Sequence, residues 1–408
     1  MTVTGNANNN VHPFARILAV CREGVHELLN PPAGNVPGLD VLRSLAIILV
    51  VSGHYYGEFS DAQGATLAIG RFPFFYFAWT GVDLFFVLSG YLIGRQLWRE
   101  LTVRNTINIP RFLLKRGLRI WPYYFLFVAW SISTSPKTIS KFLPDLFFLS
   151  NYFPGAVAGT WSLSTEEQFY VFVPVLLCAV STFISAKRQF LVIIGLLVAL
   201  PFVRYLTLSA YHGEITHDVA VRIIQLPFHT HADGLLAGVL LSWVSILKPD
   251  HLRQLPFLRN LIWPIILVLV GLLLRGFDRL FGLSALALIF GGMTLFVLRD
   301  RSGLRKLYDQ RIFYLTSRLS YGMYLNHFPI LSFGVPLLVA ARISNKDYVN
   351  FFIGYPIMVF ASMMVAAATF ILIESPFLQV RERWLAAKNG AKKVADADLK
   401  PAFKLEPP

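Results

Sequence analysis

Two residues in the first long apolar segment, Arg43 and His54, are of types that can do chemistry inside a membrane. They lie eleven positions apart, and eleven helical steps of about 100° return to within about 20° of the start, so a helix places both on one face about 16 Å apart. The guanidinium is a permanent cation, whereas an imidazole titrates near neutral pH and can act as a general base. Two interpretations are open: a catalytic pair, or a snorkelling arginine and a core histidine bonded to a neighbouring helix.

Asp83 lies among apolar residues of the second apolar segment, where an unpaired carboxylate is costly. Helices that follow each other in sequence usually pack together, so the expected partner is His54 or Arg43 on the first helix. A carboxylate bonded to one imidazole nitrogen would fix the tautomer and leave the other nitrogen free as a base. A purely structural ion pair is the alternative.

The next polar groups are a pair of arginines and a pair of glutamates. Arg116 and Arg119 are three apart at a helix start, and their guanidiniums can form forked bonds to the phosphates of a ligand or of lipid headgroups. Glu166 and Glu167 enter an apolar helix on different faces, so at least one is predicted to face a wet cavity. Ser164 with Glu167 also fits a helix N-cap, which is the structural alternative.

A third cluster, His229, His231 and Asp233, invites a metal interpretation. On a helix His229 and Asp233 would align, but His231 would point nearly opposite, and no further His or Cys cluster is nearby. Cys21 and Cys178 lie in very different settings, which argues against a disulfide framework or a cysteine metal site. The sequence therefore predicts no metal site.

Composition indicates the elements that must position these groups. Of 408 residues 55% are hydrophobic and 15% are charged, against about 25% charged in soluble proteins. Apolar stretches long enough to span a bilayer recur along the chain. The predicted fold is an all-α, polytopic membrane protein. We predict ten spanning helices at about residues 41–57, 73–94, 120–134, 165–186, 190–209, 222–246, 258–274, 280–298, 319–341 and 350–373.

Charge sets the predicted orientation. The net charge is +14, and basic residues gather in the loops after the second and eighth segments, so both termini are predicted to be cytoplasmic. Residues 1–37 form a cytoplasmic segment without a cleavable signal, 38–380 the transmembrane domain, and 381–408 a basic, disordered tail. This distribution indicates a multi-pass protein of the cell (inner) membrane and excludes nucleic acid as a partner.

Seven blocks in series resemble the acyltransferase-3 family of membrane O-acyltransferases, which includes the O-antigen acetylases. In the family's order they are residues 38–54, 83–91, 116–122, 161–170, 232–238, 319–327 and 373–377. The resemblance implies a ten-helix domain that takes an acyl group from cytoplasmic acyl-CoA. It implies delivery to a hydroxyl, usually on a sugar of an extracytoplasmic glycan or glycolipid. Acetyl is the expected acyl group, and acyl-CoA is a donor substrate rather than a resident cofactor.

Carried over residue by residue, the resemblance implies that His54 is catalytic and that Arg116 and Arg119 bind the donor. Arg43 is the arginine that accompanies the histidine in the family. Asp83 is predicted to be catalytic, and the predicted substrate-binding residues are Trp161, Glu167 and Glu374.

The mechanism that follows places CoA phosphates on Arg116 and Arg119 and the thioester near Arg43. His54, oriented by Asp83, acts as general base on the acceptor hydroxyl. Transfer through an acyl-histidine is the alternative. The rival function is a transporter or flippase of a lipid-linked sugar, although no inverted repeat is visible; a third is a receptor-like sensor without chemistry. The acceptor is left open among polysaccharide, peptidoglycan, lipid-linked sugar and a small exported metabolite.

Overall fold

A computed structural model describes residues 13–384, except 33, 65–71, 186, 248–264, 268, 271–272, 274–277, 300–303, 342 and 345. These residues form helices, turns and loops, with no β-strand among them, so the predicted all-α class is confirmed. The long helices described are α1 (Pro13–Leu29), α2 (Pro37–Gln63), α3 (Gly81–Arg104), α4 (Ile109–Thr134), α5 (Thr160–Ser181), α6 (Phe190–Ala210), α7 (Asp233–Leu247), α8 (Asp278–Arg299), α9 (Arg311–Ala341) and α10 (Asp347–Thr369).

Six of the described helices are long and apolar enough to cross a membrane. They are α2, α5, α6, most of α8, α9 and the continuous helical run Asp347–Trp384 that contains α10. Helix α7 is apolar but has only 15 residues. A membrane protein is therefore confirmed, while ten spans and two cytoplasmic termini remain predictions.

The segment predicted to span at 222–246 is interrupted in the structure. One helical turn is followed by an irregular stretch, and α7 begins only at Asp233. Pro227 has no N–H to donate and disfavours a continuous helix, and the Thr230 carbonyl accepts a hydrogen bond from Arg204 Nη1 at 2.9 Å. The predicted segment at 258–274 lies largely outside the described residues.

Helices α3 and α7 approach each other through glycines. Gly90 and Gly94 on α3 lie against the α7 backbone near Leu235 and Val239, and Gly234 and Gly238 on α7 lie against α3. Each pair has the four-residue spacing that lets two membrane helices pack closely. An ideal Cβ on Gly90 would lie 2.0 Å from the carbonyl oxygen of Leu235. The crossing has no room for a methyl group, so α3 and α7 form one rigid pair.

This close approach predicts a large effect for Gly90→Ala. The added methyl would meet backbone rather than a movable side chain, so we expect a loss of about 1–3 kcal/mol, measured as a lower thermal unfolding temperature in detergent. Gly195→Ala in α6 is the matched control because nothing lies within 4 Å of that position. Equal stability of the two variants would contradict the packing described here.

The N-terminal segment contains helix α1, which the sequence analysis does not predict. The Glu27 carboxylate lies 3.3 Å from Arg318 Nη2 in α9, and the Tyr314 hydroxyl donates to the carbonyls of Glu27 and Asn30. Residues 381–384, predicted to begin a disordered tail, are helical. The rest of the predicted tail lies outside the described residues.

Candidate active site

A cavity of about 120 Å³ lies among α2, α3, α4, α5 and α9. Its polar lining consists of Arg43, Ser89, Arg116, Arg119, Ser162, Glu166, Tyr170, Ser320, Tyr321 and Tyr324. The three arginines predicted to bind the donor therefore converge on one space. Clustered like charges repel in a poorly hydrated interior, so the cavity favours an anionic or strongly polarised ligand.

The α4 helix brings two of these arginines inward. It starts after Asn108, whose side chain accepts a hydrogen bond from the Arg111 backbone N–H at 3.0 Å and so caps the helix. Arg116 Nη2 donates to Gln96 Oε1 on α3 at 2.9 Å. Arg119 and Arg43 make no hydrogen bond or ion pair within the described part of the chain. Their N–H groups are free to hold a ligand.

Glu166 is the acidic group of the cavity, and the sequence analysis did not select it over Glu167. Its two carboxylate oxygens accept hydrogen bonds from Ser89 Oγ at 2.7 Å and from the Tyr170 hydroxyl at 3.0 Å. It lies within the electrostatic reach of Arg43 and Arg116. Glu166 and Glu167 lie on different faces of α5. Only the packing of α5 against α3 decides which of the two glutamates lines the cavity.

The predicted substrate-binding carboxylates lie outside this lining. Glu167 Oε2 accepts a hydrogen bond from Trp121 Nε1 at 3.1 Å, and its other oxygen is buried without a partner in the described structure. Glu374 is buried in the last helical run, in the field of Arg119 and Arg318. Glu374 therefore interacts electrostatically with Arg119, which lines the cavity.

His54 packs against α9 rather than against α3. Its ring centroid lies 5.1 Å from that of His327 and 4.3 Å from that of Phe328. Arg43 lines the cavity together with Ser320, Tyr321 and Tyr324 of α9. His54 does not line the cavity: Tyr324, which does, is 5.8 Å from His327, which in turn contacts His54.

His327 is a neighbour that the sequence analysis did not single out. It is fully buried, its Nδ1 is 3.1 Å from the Met323 carbonyl, and its Nε2 has no partner within the described residues. A bond from Nδ1–H to a carbonyl fixes the tautomer that leaves Nε2 unprotonated. The sequence did contain a signal for this contact. His327 follows Tyr324 by three residues, and this spacing places both rings on one face of a helix.

Asp83 pairs with His231, so the predicted pair of Asp83 with His54 is wrong. The distance from Asp83 Oδ1 to His231 Nε2 is 2.8 Å, and Trp161 stacks on His231 with 5.9 Å between ring centroids. The face of α3 that carries Asp83 also carries Gly90, and it packs on α7. Close packing through glycine decides the neighbour here, and adjacency in sequence does not.

A second buried ion pair, Arg204 with Asp233, was also missed. Both side chains are almost fully buried, and Arg204 Nη1 lies 2.8 Å from Asp233 Oδ2. Ser284 and the Leu280 carbonyl complete the shell around the guanidinium. An arginine inside the apolar segment at 190–209 was the signal, because a buried guanidinium requires an acidic partner.

Asp145 organises the loop that precedes α5. Its carboxylate accepts hydrogen bonds from the Ala156 N–H at 2.8 Å and from Thr160 Oγ1 at 2.6 Å. Burial raises the pKa of the Asp145 carboxyl in spite of these bonds, which lower it. The loop ends at Gly159, where φ is +78°, and the Gly159 carbonyl accepts a hydrogen bond from the Tyr324 hydroxyl at 2.9 Å.

The histidines considered as metal ligands have separate partners. His229 Nδ1 lies 3.1 Å from the Tyr152 hydroxyl, His231 bonds to Asp83, and Asp233 bonds to Arg204. Within the described residues no three His, Cys, Asp or Glu side chains group in a way that could hold a metal ion.

Comparison with known families identifies the chain. The acyltransferase-3 family profile, described as an acyltransferase domain, matches residues 36–371. The chain belongs to the acyltransferase-3 family. The family resemblance of the sequence blocks is thereby confirmed, and the protein is an acyltransferase-3 membrane protein.

Curated relatives of this acyltransferase-3 protein carry O-acetyltransferase names. The chain is 26% identical to the peptidoglycan O-acetyltransferase OatA of Listeria monocytogenes, over 84% of this chain and 54% of that protein. It is 25% identical to the putative peptidoglycan O-acetyltransferase YrhL of Bacillus subtilis, over 74% of this chain and 49% of that protein. The chain spans about half the length of these curated relatives. No solved structure matches it.

Proposed function

We propose that this acyltransferase-3 protein is an O-acyltransferase that moves an acyl group, acetyl being expected, from cytoplasmic acyl-CoA to a carbohydrate hydroxyl outside the membrane. Peptidoglycan is the favoured acceptor, because relatives named as peptidoglycan O-acetyltransferases match most of this chain. The observation that carries the proposal is the convergence of Arg43, Arg116 and Arg119 on one cavity inside the helical domain. Charged side chains inside a membrane domain are costly and mark functional sites, so three guanidiniums on one small cavity support binding of an anionic or polarised substrate there.

The two halves of the reaction are assigned to two sides of Tyr324. On one side the arginines of the cavity hold the donor and polarise the thioester carbonyl, where negative charge develops during attack. On the other side His54 receives the acceptor hydroxyl. Tyr324 and His327 lie between these two sides. The thioester carbonyl carbon and the acceptor hydroxyl oxygen must therefore meet beside these two side chains.

His54 is the proposed general base. It takes the proton of the acceptor hydroxyl as that oxygen attacks the thioester carbonyl. The new C–O bond forms, the C–S bond breaks, and the proton held by His54 passes to the departing thiolate sulfur. The contact with His327 orients the His54 ring, a role that the sequence analysis gave to Asp83. The alternative route, in which His54 carries the acyl group as acyl-histidine, uses the same residues in two steps.

The other predicted residues keep supporting roles in the proposal. Trp161, Glu167 and Glu374 are assigned to substrate binding at the edges of the cavity. Asp83, through His231, holds α3 against α7 and so positions the wall that carries Ser89. We further propose ten spans, both termini in the cytoplasm and residence in the cell membrane, which puts the basic turn between α3 and α4 on the donor side.

Reconstituted protein tests this function directly. Purified protein in liposomes, given acetyl-CoA labelled in the acetyl group and a peptidoglycan oligosaccharide, is expected to transfer the label to the glycan as an alkali-labile ester. Protein-free liposomes serve as the control. Mass spectrometry of the recovered glycan would show an added acetyl group on a sugar hydroxyl.

The same preparation separates the rival transporter function. A flippase would move a lipid-linked sugar across the liposome membrane without adding an acyl group and without consuming acetyl-CoA. Translocation of unmodified sugar together with unreacted donor would overturn the acyltransferase proposal.

A further inference from the structure

A basic pocket of about 550 Å³ opens between α3 and α4, next to the central cavity. It is lined by five cationic side chains, one carboxylate, one amide and three apolar side chains. The lining residues are Leu92, Arg95, Gln96, Arg99, Glu100, Val103, Arg104, Arg111, Phe112 and Lys115. We call this pocket the basic vestibule. None of its cations was assigned to a ligand by the resemblance.

Most of the positive charge in the vestibule is not neutralised locally. Its one carboxylate, Glu100, is shared between Arg104, at 3.5 Å, and the Asn108 backbone N–H, at 3.3 Å. Arg95, Arg99 and Lys115 form no hydrogen bond or ion pair within the described part of the chain. A pocket with this excess of cations binds a ligand that carries several negative charges.

The vestibule adjoins the central cavity. Leu92 lines both spaces, and Gln96 of the vestibule accepts the hydrogen bond from Arg116 of the cavity. Along α3, Ser89 in the cavity and Arg99 in the vestibule are ten residues apart, about 15 Å of helix. A ligand of that length can therefore have its anionic end in the vestibule and its reactive end in the cavity.

The two spaces differ in what they can hold. The cavity, at about 120 Å³, admits a thioester and its acyl group but not a nucleotide. The vestibule, at about 550 Å³, is large enough for one. The pantetheine arm of acyl-CoA is twelve bonds long between diphosphate and sulfur, which corresponds to four extended residues or about 14 Å.

We propose that the basic vestibule binds the 3′-phosphate and diphosphate of acyl-CoA, and that Arg95, Arg99 and Lys115 are its phosphate-binding residues. This inference rests on the proposed function and revises it: Arg116 and Arg119, expected from the sequence to hold the CoA phosphates, instead face the pantetheine and thioester in the cavity. The same phosphate chemistry exists in anionic lipid headgroups, so the test must separate the two sources.

The test compares two donors that share the thioester and differ in the nucleotide. Arg95→Gln, Arg99→Gln and Lys115→Gln are each expected to raise the KM for acetyl-CoA about tenfold, as the loss of one charge-assisted hydrogen bond would. The ratio of kcat/KM for acetyl-CoA to that for S-acetyl-pantetheine, which has no nucleotide, should fall by the same factor. Arg188→Gln, an exposed arginine outside both spaces, is the matched control with an unchanged ratio.

A competition measurement adds a second readout. Adenosine 3′,5′-bisphosphate is expected to compete with acetyl-CoA for the wild-type protein and to inhibit the vestibule variants about tenfold more weakly. Unchanged KM, ratio and inhibition in the three variants would overturn the inference while leaving the acyltransferase activity established. Absence of transfer from either donor by the wild-type protein would instead overturn the proposed function.

The lipid alternative has its own outcome. If the vestibule binds headgroups, the variants would alter the dependence of activity on the phosphatidylglycerol content of the liposomes, and the KM for acetyl-CoA would stay at its wild-type value. That result would overturn the assignment of acyl-CoA to the vestibule.

Discussion

His54→Ala is expected to abolish measurable acyl transfer, lowering kcat by about 10²–10⁴-fold, while expression and membrane insertion stay at wild-type levels. A sugar hydroxyl holds its proton far above neutral pH, so it attacks a thioester slowly without a base. The His54 side chain is exposed in the fold, and its ring packs against the rings of His327 and Phe328. Truncation therefore leaves no cavity, and loss of activity would report chemistry rather than unfolding.

The matched control is His212→Ala, since His212 is also an exposed histidine but lies in the loop after α6. This variant should turn over at the wild-type rate. Wild-type turnover by His54→Ala would remove His54 from the mechanism.

Intact-mass measurement after rapid quenching distinguishes the two routes through His54. An acetyl adduct on the wild-type protein in the absence of acceptor, lost in His54→Ala, is the result expected for an acyl-histidine. Direct attack of the hydroxyl predicts no adduct on either protein.

Arg204→Met is expected to destabilise the fold by about 3–5 kcal/mol, because it removes one partner of a buried ion pair and leaves the other charged. Among the described residues, the Asp233 carboxylate would retain only the hydrogen bond from Ser284 Oγ, at 2.5 Å. The guanidinium also fixes the Thr230 carbonyl ahead of α7. Thermal unfolding in detergent micelles measures the loss.

An exposed pair of the same length supplies the control. Arg381 Nη2 and Glu382 Oε1 also lie 2.8 Å apart but at the surface, where an ion pair contributes about 1 kcal/mol or less. Arg381→Met should therefore shift the unfolding temperature little. Replacing both partners, Arg204→Met with Asp233→Leu, should recover part of the lost stability. A double variant that unfolds at a lower temperature than Arg204→Met would contradict this account.

The sequence predicts the helical class and most helix positions, because apolar length and hydrogen bonding in a bilayer leave few alternatives. It also singles out the three arginines that line the central cavity, since a guanidinium in an apolar segment is costly without a role. The helical spacing of Arg43 and His54 predicts a shared face but not the helix that lies against it. His54 packs on α9, and Arg43 lines the cavity together with residues of α9. Helix α9 lies more than 250 residues further along the chain, so no local rule could identify it.

Partners between distant segments could not be derived in this way. Asp83 was assigned to the neighbouring helix in sequence, whereas glycines at 90, 94, 234 and 238 bring α3 onto α7 and hence onto His231. The spacing of these glycines was visible and would have predicted the contact. The choice between Glu166 and Glu167 depends on how α5 is rotated, which apolar periodicity leaves undetermined for a helix covered on several sides.

The side chains of Tyr324 and His327 lie between the cavity and His54. Under the proposed function, the thioester meets the acceptor hydroxyl beside these two side chains. Only the acyl group then crosses from one side of the protein to the other, while the nucleotide and the sugar each stay in their own compartment. Catalysis of this kind requires no open pore. Cells that express the protein should therefore retain a membrane impermeable to protons and metabolites, even at high turnover.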